Sequence, residues 1–181
     1  MEVYFVRHGE TDENKKGINL GSKMDVPLNQ WGIEQAREIQ LPSGFDLIFT
    51  SPMKRCLQTA EIINKKLKVK IIVRPELTER GKGVLEGKND TETAEYTNNA
   101  LNTDFFARNL EVDYSPYGGE SIEQVRQRLK IFTKDLLRDY PDKKILVCTH
   151  MGIMKVLNAL YSKQSAENFS NAVLQTLEIS N

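Results

Sequence analysis

A chain of 181 residues with 25 basic and 25 acidic side chains has room for one core and no net charge, and its mean hydropathy of −0.48 is that of a water-exposed protein. The balance removes the cationic field that would draw it to nucleic acid or an anionic membrane, and no apolar run approaches the ~20 residues of a bilayer span. Only two cysteines, Cys56 in a charged helical pattern and Cys148 in an apolar strand pattern, fit free thiols better than a disulfide framework, and with the two histidines, His8 and His150, they show none of the HExxH or CxxC spacings of a zinc site. With no basic leader or cleavage site after Met1, the expectation is a cytoplasmic chain with free thiols, no metal and no cofactor.

In chain order, Glu2 to Arg7 reads as a buried strand ending in the turn His8-Gly9. Apolar spacing predicts a helix over Gly32 to Ile39. Asp46 to Thr50 is a second strand, and Ser51-Pro52 reads as the N-cap and first residue of a helix reaching about Leu67. Val69 to Val73 is a third strand, closed by Pro75. Residues 88–117 are polar, with Asp90, Glu92, Glu95, Asp104, Glu111 and Asp113 against Lys88 and Arg108, and predict an acidic, partly helical cap over the sheet edge. Ile122 to Asp139 is a long helix with Ser121 as N-cap and Gln124 at the capping-box position. Lys144 to Thr149 is a fourth strand that turns at His150 into a helix ending near Tyr161, and Leu174 to Ile179 is a last, edge strand. Strands alternating with helices predict an α/β three-layer sandwich: a mostly parallel central sheet, helices on both faces and a small acidic cap segment. Residues 1–181 are expected to form a single domain, with 88–117 inside it.

Several signatures fail on spacing. Gly81-Lys-Gly83 to Gly87 has one residue too many for a dinucleotide fingerprint, and Gly83 to Lys88 is one short of a P-loop, with Asn89 in place of its hydroxyl. Gly119-Glu-Ser121 lacks the closing glycine of a nucleophile elbow. Cys148 is followed six positions on by Met154, not by the arginine a cysteine phosphatase needs, and reads as a core residue.

Functional groups of a parallel sheet collect outside the carboxyl ends of its strands, and the pattern puts both histidines there. Arg7 adjoins His8, and Arg55 lies one helical turn inside the helix that begins after the second strand, where it can lean back toward the sheet's carboxyl end. Two guanidinium forks beside two imidazoles suit a phosphate group, and the helix starts after Ser51 and His150 would add backbone donors.

These residues resemble the histidine phosphatase superfamily, the phosphoglycerate mutase-like fold. The likeness runs through Arg7-His8-Gly9-Glu10-Thr11 with Asn14 and Gly21, then Thr50-Ser51-Pro52 to Arg55 and Thr59-Ala60. It continues in Leu77-Thr-Glu79-Arg80 with Gly83 and Glu86-Gly87, in Gly118-Gly-Glu-Ser121, and in Thr149-His150-Met-Gly152. The resemblance implies that His8 is the nucleophile and that Arg7, Arg55 and a protonated His150 hold the phosphoryl group. Asn14 would contact it, Gly21 would offer a backbone amide, and Glu79 would be the general acid and base. Glu76 and Glu86 compete for that last role. Lys82 and Leu85 stand where many members carry aromatics, which bears on the leaving-group pocket.

A mutase must keep the phosphohistidine from water and hold a highly anionic substrate, whereas 88–117 is short and acidic. The expected activity is therefore metal-independent hydrolysis of a phosphorylated small molecule, by a phosphatase of histidine acid phosphatase type. The acidic segment further predicts a neutral or aromatic leaving group, with Tyr96, Phe105, Phe106, Tyr114 and Tyr117 for packing. The alternatives are a cofactor-dependent phosphoglycerate mutase and an inactive phospho-ligand-binding scaffold. Substrate identity and oligomeric state stay open.

Overall fold

The computed structural model describes residues 1–97, 112–162 and 169–180. In chain order the elements are β1 (Glu2–Arg7), α1 (Asp12–Lys15), α2 (Gln30–Glu38), β2 (Leu47–Thr50), α3 (Lys54–Leu67) and β3 (Lys70–Val73), then α4 (Asp90–Tyr96), α5 (Ile122–Asp139), β4 (Ile145–Thr149), α6 (Met151–Tyr161) and β5 (Leu174–Glu178). The strands form one sheet in the order β3-β2-β4-β1-β5. All neighbours run parallel except β5, which is antiparallel to β1 at the edge.

Side chains alternate across a strand, and here the alternation builds two cores. Val3, Phe5, Leu47, Phe49, Ile145 and Val147 face one way, onto Leu129, Phe132 and Leu136 of α5 and Ile153 and Leu157 of α6. Val6, Ile48, Leu146 and Cys148 face the other way, onto Cys56, Ala60 and Ile63 of α3 and Ile39 after α2. Burying each such aliphatic or aromatic side chain contributes about 1.5–3 kcal/mol. β2 and β4, fully buried, are the sandwich's centre, while β3 and β5 have exposed positions.

Helix boundaries follow local chemistry. α5 starts with the expected capping box, Ser121 accepting from the Gln124 N–H and Gln124 from that of Ser121. α3 ends at Lys68 in the left-handed region, its N–H donating to Asn64 O at 2.8 Å. Its start departs from expectation: the N-cap is Met53, with no side-chain cap bond. Ser51 does not cap because the sheet ladder runs through it, its N–H donating to Cys148 O at 3.1 Å, while its hydroxyl is turned to His150.

α2 presses directly on the loop after β1. A Cβ at Gly9 or at Gly32 would overlap the backbone across this seam, so both positions are closed to larger residues. Within the acidic cap predicted over 88–117, the described parts are α4 and residues 112–117; residues 98–111, with Asp104, Phe105, Phe106, Arg108 and Glu111, lie outside the described residues. Tyr114 belongs to a small separate core with Leu85 and Val112, beneath the Arg80 guanidinium at 4.4 Å from its ring centroid.

Candidate active site

Sheet register brings the two histidines together. Arg7 pairs with Thr149 across β1 and β4, and the ladder extends one residue further as the His8 N–H donates to Thr149 O at 3.0 Å. His8 and His150 therefore leave adjacent strands side by side, with ring centroids 5.2 Å apart at an interplanar angle of 64°. Both are buried, at 3% and 0% exposure.

His8 Nδ1 lies 2.7 Å from Gly9 O. A carbonyl only accepts, so Nδ1 carries the proton and the lone pair is on Nε2. The loop is fixed from three sides. Thr59 Oγ1 accepts from the Gly9 N–H at 3.1 Å and donates to Arg55 O at 2.7 Å; Asn171 Nδ2 donates to His8 O at 2.7 Å, and the Ala172 N–H to Arg7 O at 2.9 Å. His150 Nε2 lies 2.8 Å from Ser51 Oγ and 3.4 Å from Cys56 Sγ.

Burial, reinforced by the Arg55 and Arg7 charges, holds His8 well below the usual imidazole range, and burial with Arg55 does the same to His150. Burial thus favours the neutral form of both rings, so the protonated His150 that the resemblance implies needs an anion beside it. The unfolded chain, with histidines near 6.5, binds protons that the fold does not. Folding stability is therefore expected to fall as pH drops below about 6.5, approaching about 1.4 kcal/mol per pH unit for each histidine. Urea unfolding from pH 7 to 5 checks this, and a flat profile would contradict neutral buried rings. The lowered carboxylates, Asp46 and Glu76 among them, act below that window.

Arg55 is fully buried as the second residue of α3. Its Nη1 donates to Met24 O at 2.8 Å and its Nη2 to Gly21 O at 3.0 Å, while Nε has no partner. Arg7 Nη1 donates to Phe169 O at 3.1 Å and to Met151 Sδ at 3.7 Å, and its Nε is likewise unpartnered. Among the described residues no carboxylate is within ion-pairing distance of either guanidinium.

Gly21 enters through its carbonyl. Its φ is +56°, a conformation that favours glycine, and a Cβ there would displace the Glu86 carboxyl group. Asn14 closes the capping box of α1, its Oδ1 accepting from the Thr11 N–H at 3.3 Å, which leaves the amide nitrogen for other use.

Of the three candidate acids, Glu76 chelates Arg74, which holds its carboxyl below the usual range. Glu86 accepts from the backbone N–H groups of Ser22, Lys23 and Lys82. Glu79 accepts from the backbone N–H groups of Arg80 at 2.9 Å and, where α6 starts after His150, Gly152 at 3.4 Å. The Arg80 guanidinium turns to the carbonyls of Val112 and Glu120. One backbone N–H at each of the two helix starts is thus taken by a carboxylate, Gly152 at α6 by Glu79 and Lys54 at α3 by Asp25 Oδ1 at 2.7 Å.

Sequence reasoning missed Ser51, Thr59 and Asn171 as supports of the site. Thr59 carries a signal, falling four residues after Arg55 on the same helix face. Asn171 carries none, because its partner is 163 residues away. Among the described residues no group of three or more His, Cys, Asp or Glu is placed to hold a metal ion, and no helix is long and apolar enough to cross a membrane.

With this fold and this arrangement, the chain belongs to the histidine phosphatase superfamily (branch 1), whose family model matches residues 3–181. It is 35% identical over 159 residues to the uncharacterized phosphatase PhoE of Bacillus subtilis, covering 86% of this chain and 74% of that one. It is 31% identical over 162 residues to a metal-independent phosphoserine phosphatase of Arabidopsis thaliana, covering 86% and 66%. Among solved structures, Bacillus stearothermophilus YhfR superposes with a TM-score of 0.85 at 26% identity, covering 99% of this chain and 91% of that one.

Proposed function

We propose that this chain hydrolyses phosphomonoesters through a phosphohistidine on His8, without a metal ion. The observation that carries the reading is a pair of guanidiniums, Arg7 and Arg55, beside the two imidazoles, neither of them making an ion pair with a carboxylate among the described residues. A buried, unpaired charge is costly, and a phosphoryl dianion supplies what is missing.

In this reading residues 1–181 act as one catalytic domain. His8 Nε2, freed by the Nδ1–H bond to Gly9 O, attacks phosphorus in line with the leaving oxygen. The N–P bond forms, the ester P–O bond breaks, and Glu79 gives its proton to the departing alkoxide. Water then enters, Glu79 takes a proton from it, its oxygen bonds to phosphorus, and the N–P bond breaks to release phosphate and restore His8. Arg7 and Arg55 hold the equatorial oxygens, joined by the Asn14 amide nitrogen and the Gly21 backbone N–H. A dianion beside His150 opposes the effect of burial on that ring, so substrate binding draws a proton onto it and adds a third cation to the transition state.

The test is turnover of p-nitrophenyl phosphate by purified protein. Activity is expected without added metal and undiminished by a strong chelator. Loss of turnover in chelator, restored by magnesium or zinc, would overturn the metal-free mechanism.

A further inference from the structure

Beside the loop that carries Gly21, the Lys82 ammonium makes no ion pair with a carboxylate among the described residues. Lys82 lies three residues after Glu79, and its backbone N–H donates to Glu86 Oε1 at 2.9 Å. Because Glu86 also accepts from Ser22 and Lys23, the segment carrying Lys82 is tied to the loop carrying Gly21. The Lys82 ammonium reaches over that loop to Asn19 Oδ1 and lies 5.8 Å from the Tyr114 ring centroid.

Asn19 is itself pinned, accepting from the Gly87 N–H at 2.8 Å and donating to Lys88 O at 2.9 Å. Two residues on, Gly21 O holds Arg55. At most about 7 Å of chain therefore separates the anchor of Lys82 from an anchor of the phosphate-facing guanidinium.

An ammonium has three N–H donors. Here one neutral amide oxygen and one aromatic ring engage a partly buried lysine, and no carboxylate is within ion-pairing distance of Nζ among the described residues. Burial pushes the ammonium pKa down, and Glu79 is the carboxylate that most opposes this. Asp90, at the start of α4, adds a smaller contribution of the same sign, while two other acids of the neighbouring segment are engaged locally. Glu92 accepts from the Asn89 N–H at the start of α4, and Asp113 accepts from the backbone and hydroxyl of Ser115.

We infer that Lys82 is a specificity-determining residue for a second negative group on the leaving group, a carboxylate or a further phosphate, so that the favoured substrates are phosphomonoesters with another anion a few bonds from the ester. This deepens the hydrolase reading and rests on it. It also reverses the neutral leaving group expected from the acidic composition of 88–117, because composition counts charges without showing which are already engaged.

Three esters on a three-carbon frame test it: glycerol 3-phosphate, 3-phosphoglycerate and propane-1,3-diol bisphosphate. The wild type is expected to favour at least one anionic ester over glycerol 3-phosphate by tenfold or more in kcat/KM, and the better of the two identifies carboxylate or phosphate. Lys82→Met is expected to lower kcat/KM at least tenfold for that ester, mainly through KM, and less than threefold for glycerol 3-phosphate, whereas Lys82→Arg keeps the preference. No preference in the wild type, or equal losses on all three esters, would overturn the inference. If the wild type turned over none of them or p-nitrophenyl phosphate, the hydrolase reading itself would fail. Calorimetric titration of 3-phosphoglycerate and the bisphosphate would then decide on Lys82: tenfold weaker binding of either by Lys82→Met supports its role, and equal binding of both ends it.

Discussion

Replacing His8 with alanine is expected to lower kcat by about 10⁴-fold or more, the scale on which a covalent nucleophile is lost. Rapid quench of the wild type with labelled substrate should trap an acid-labile, alkali-stable phosphoenzyme, and the His8→Ala protein should trap none. His150→Ala should still form it, about a hundredfold more slowly, because that ring contributes charge to the transition state and makes no bond to phosphorus. The two rings are 5.2 Å apart, both buried and both shifted toward the neutral form, so exposure and charge do not distinguish them. Their neighbours do: Nδ1 of His8 faces a carbonyl that can only accept, while Nε2 of His150 faces a hydroxyl that can do either. Label persisting on the His8 variant would reassign the nucleophile.

Arg55→Met should cost about 10³-fold in kcat/KM, comparable with removal of an arginine that steadies a phosphoryl transition state. Its effect on stability should be small by comparison. Methionine removes an uncompensated buried charge, which favours the variant, and leaves Gly21 O and Met24 O without their donor, which opposes it. Thermal unfolding with and without vanadate separates the contributions: the anion should raise the wild-type midpoint and leave that of the variant nearly unmoved. A variant keeping more than a tenth of wild-type kcat/KM would show that Arg55 serves the loop at 21–24 and not the phosphoryl group.

Much of the scaffold could be read from residue order because its determinants are local. The β-branched and aromatic run Glu2–Arg7 and the capped periodic run Ile122–Asp139 appear with the bounds expected of them, each carrying its own start and stop signals. Both histidines could be placed by the same logic, since a strand's last residue and the turn after it are neighbours in sequence. Ser51 shows where such reasoning stops. Ser-Pro is a sound helix opening, yet the hydroxyl serves a ring 99 residues away that no local rule can see. The segment 88–117 shows a second limit, for its composition counts acids while the local engagement of Glu92 and Asp113 is visible only in three dimensions.

The clamp on the nucleophile loop also bears on how the chain acquires its activity during synthesis. The carbonyls of Arg7 and His8 are held by Ala172 and Asn171, and β1 lies between β4 and β5, so β1 has no sheet neighbour until strands far later in the sequence have been made. Pairings of such long sequence separation form slowly, because loop-closure entropy is spent before they return any stabilisation. A nascent chain carrying His8, Arg55 and Glu79 but lacking residues 169–178 thus holds most of the reactive groups and no assembled site. Premature chemistry is excluded by topology, and β1 waits as an apolar strand with two open edges, the stretch most in need of chaperone cover.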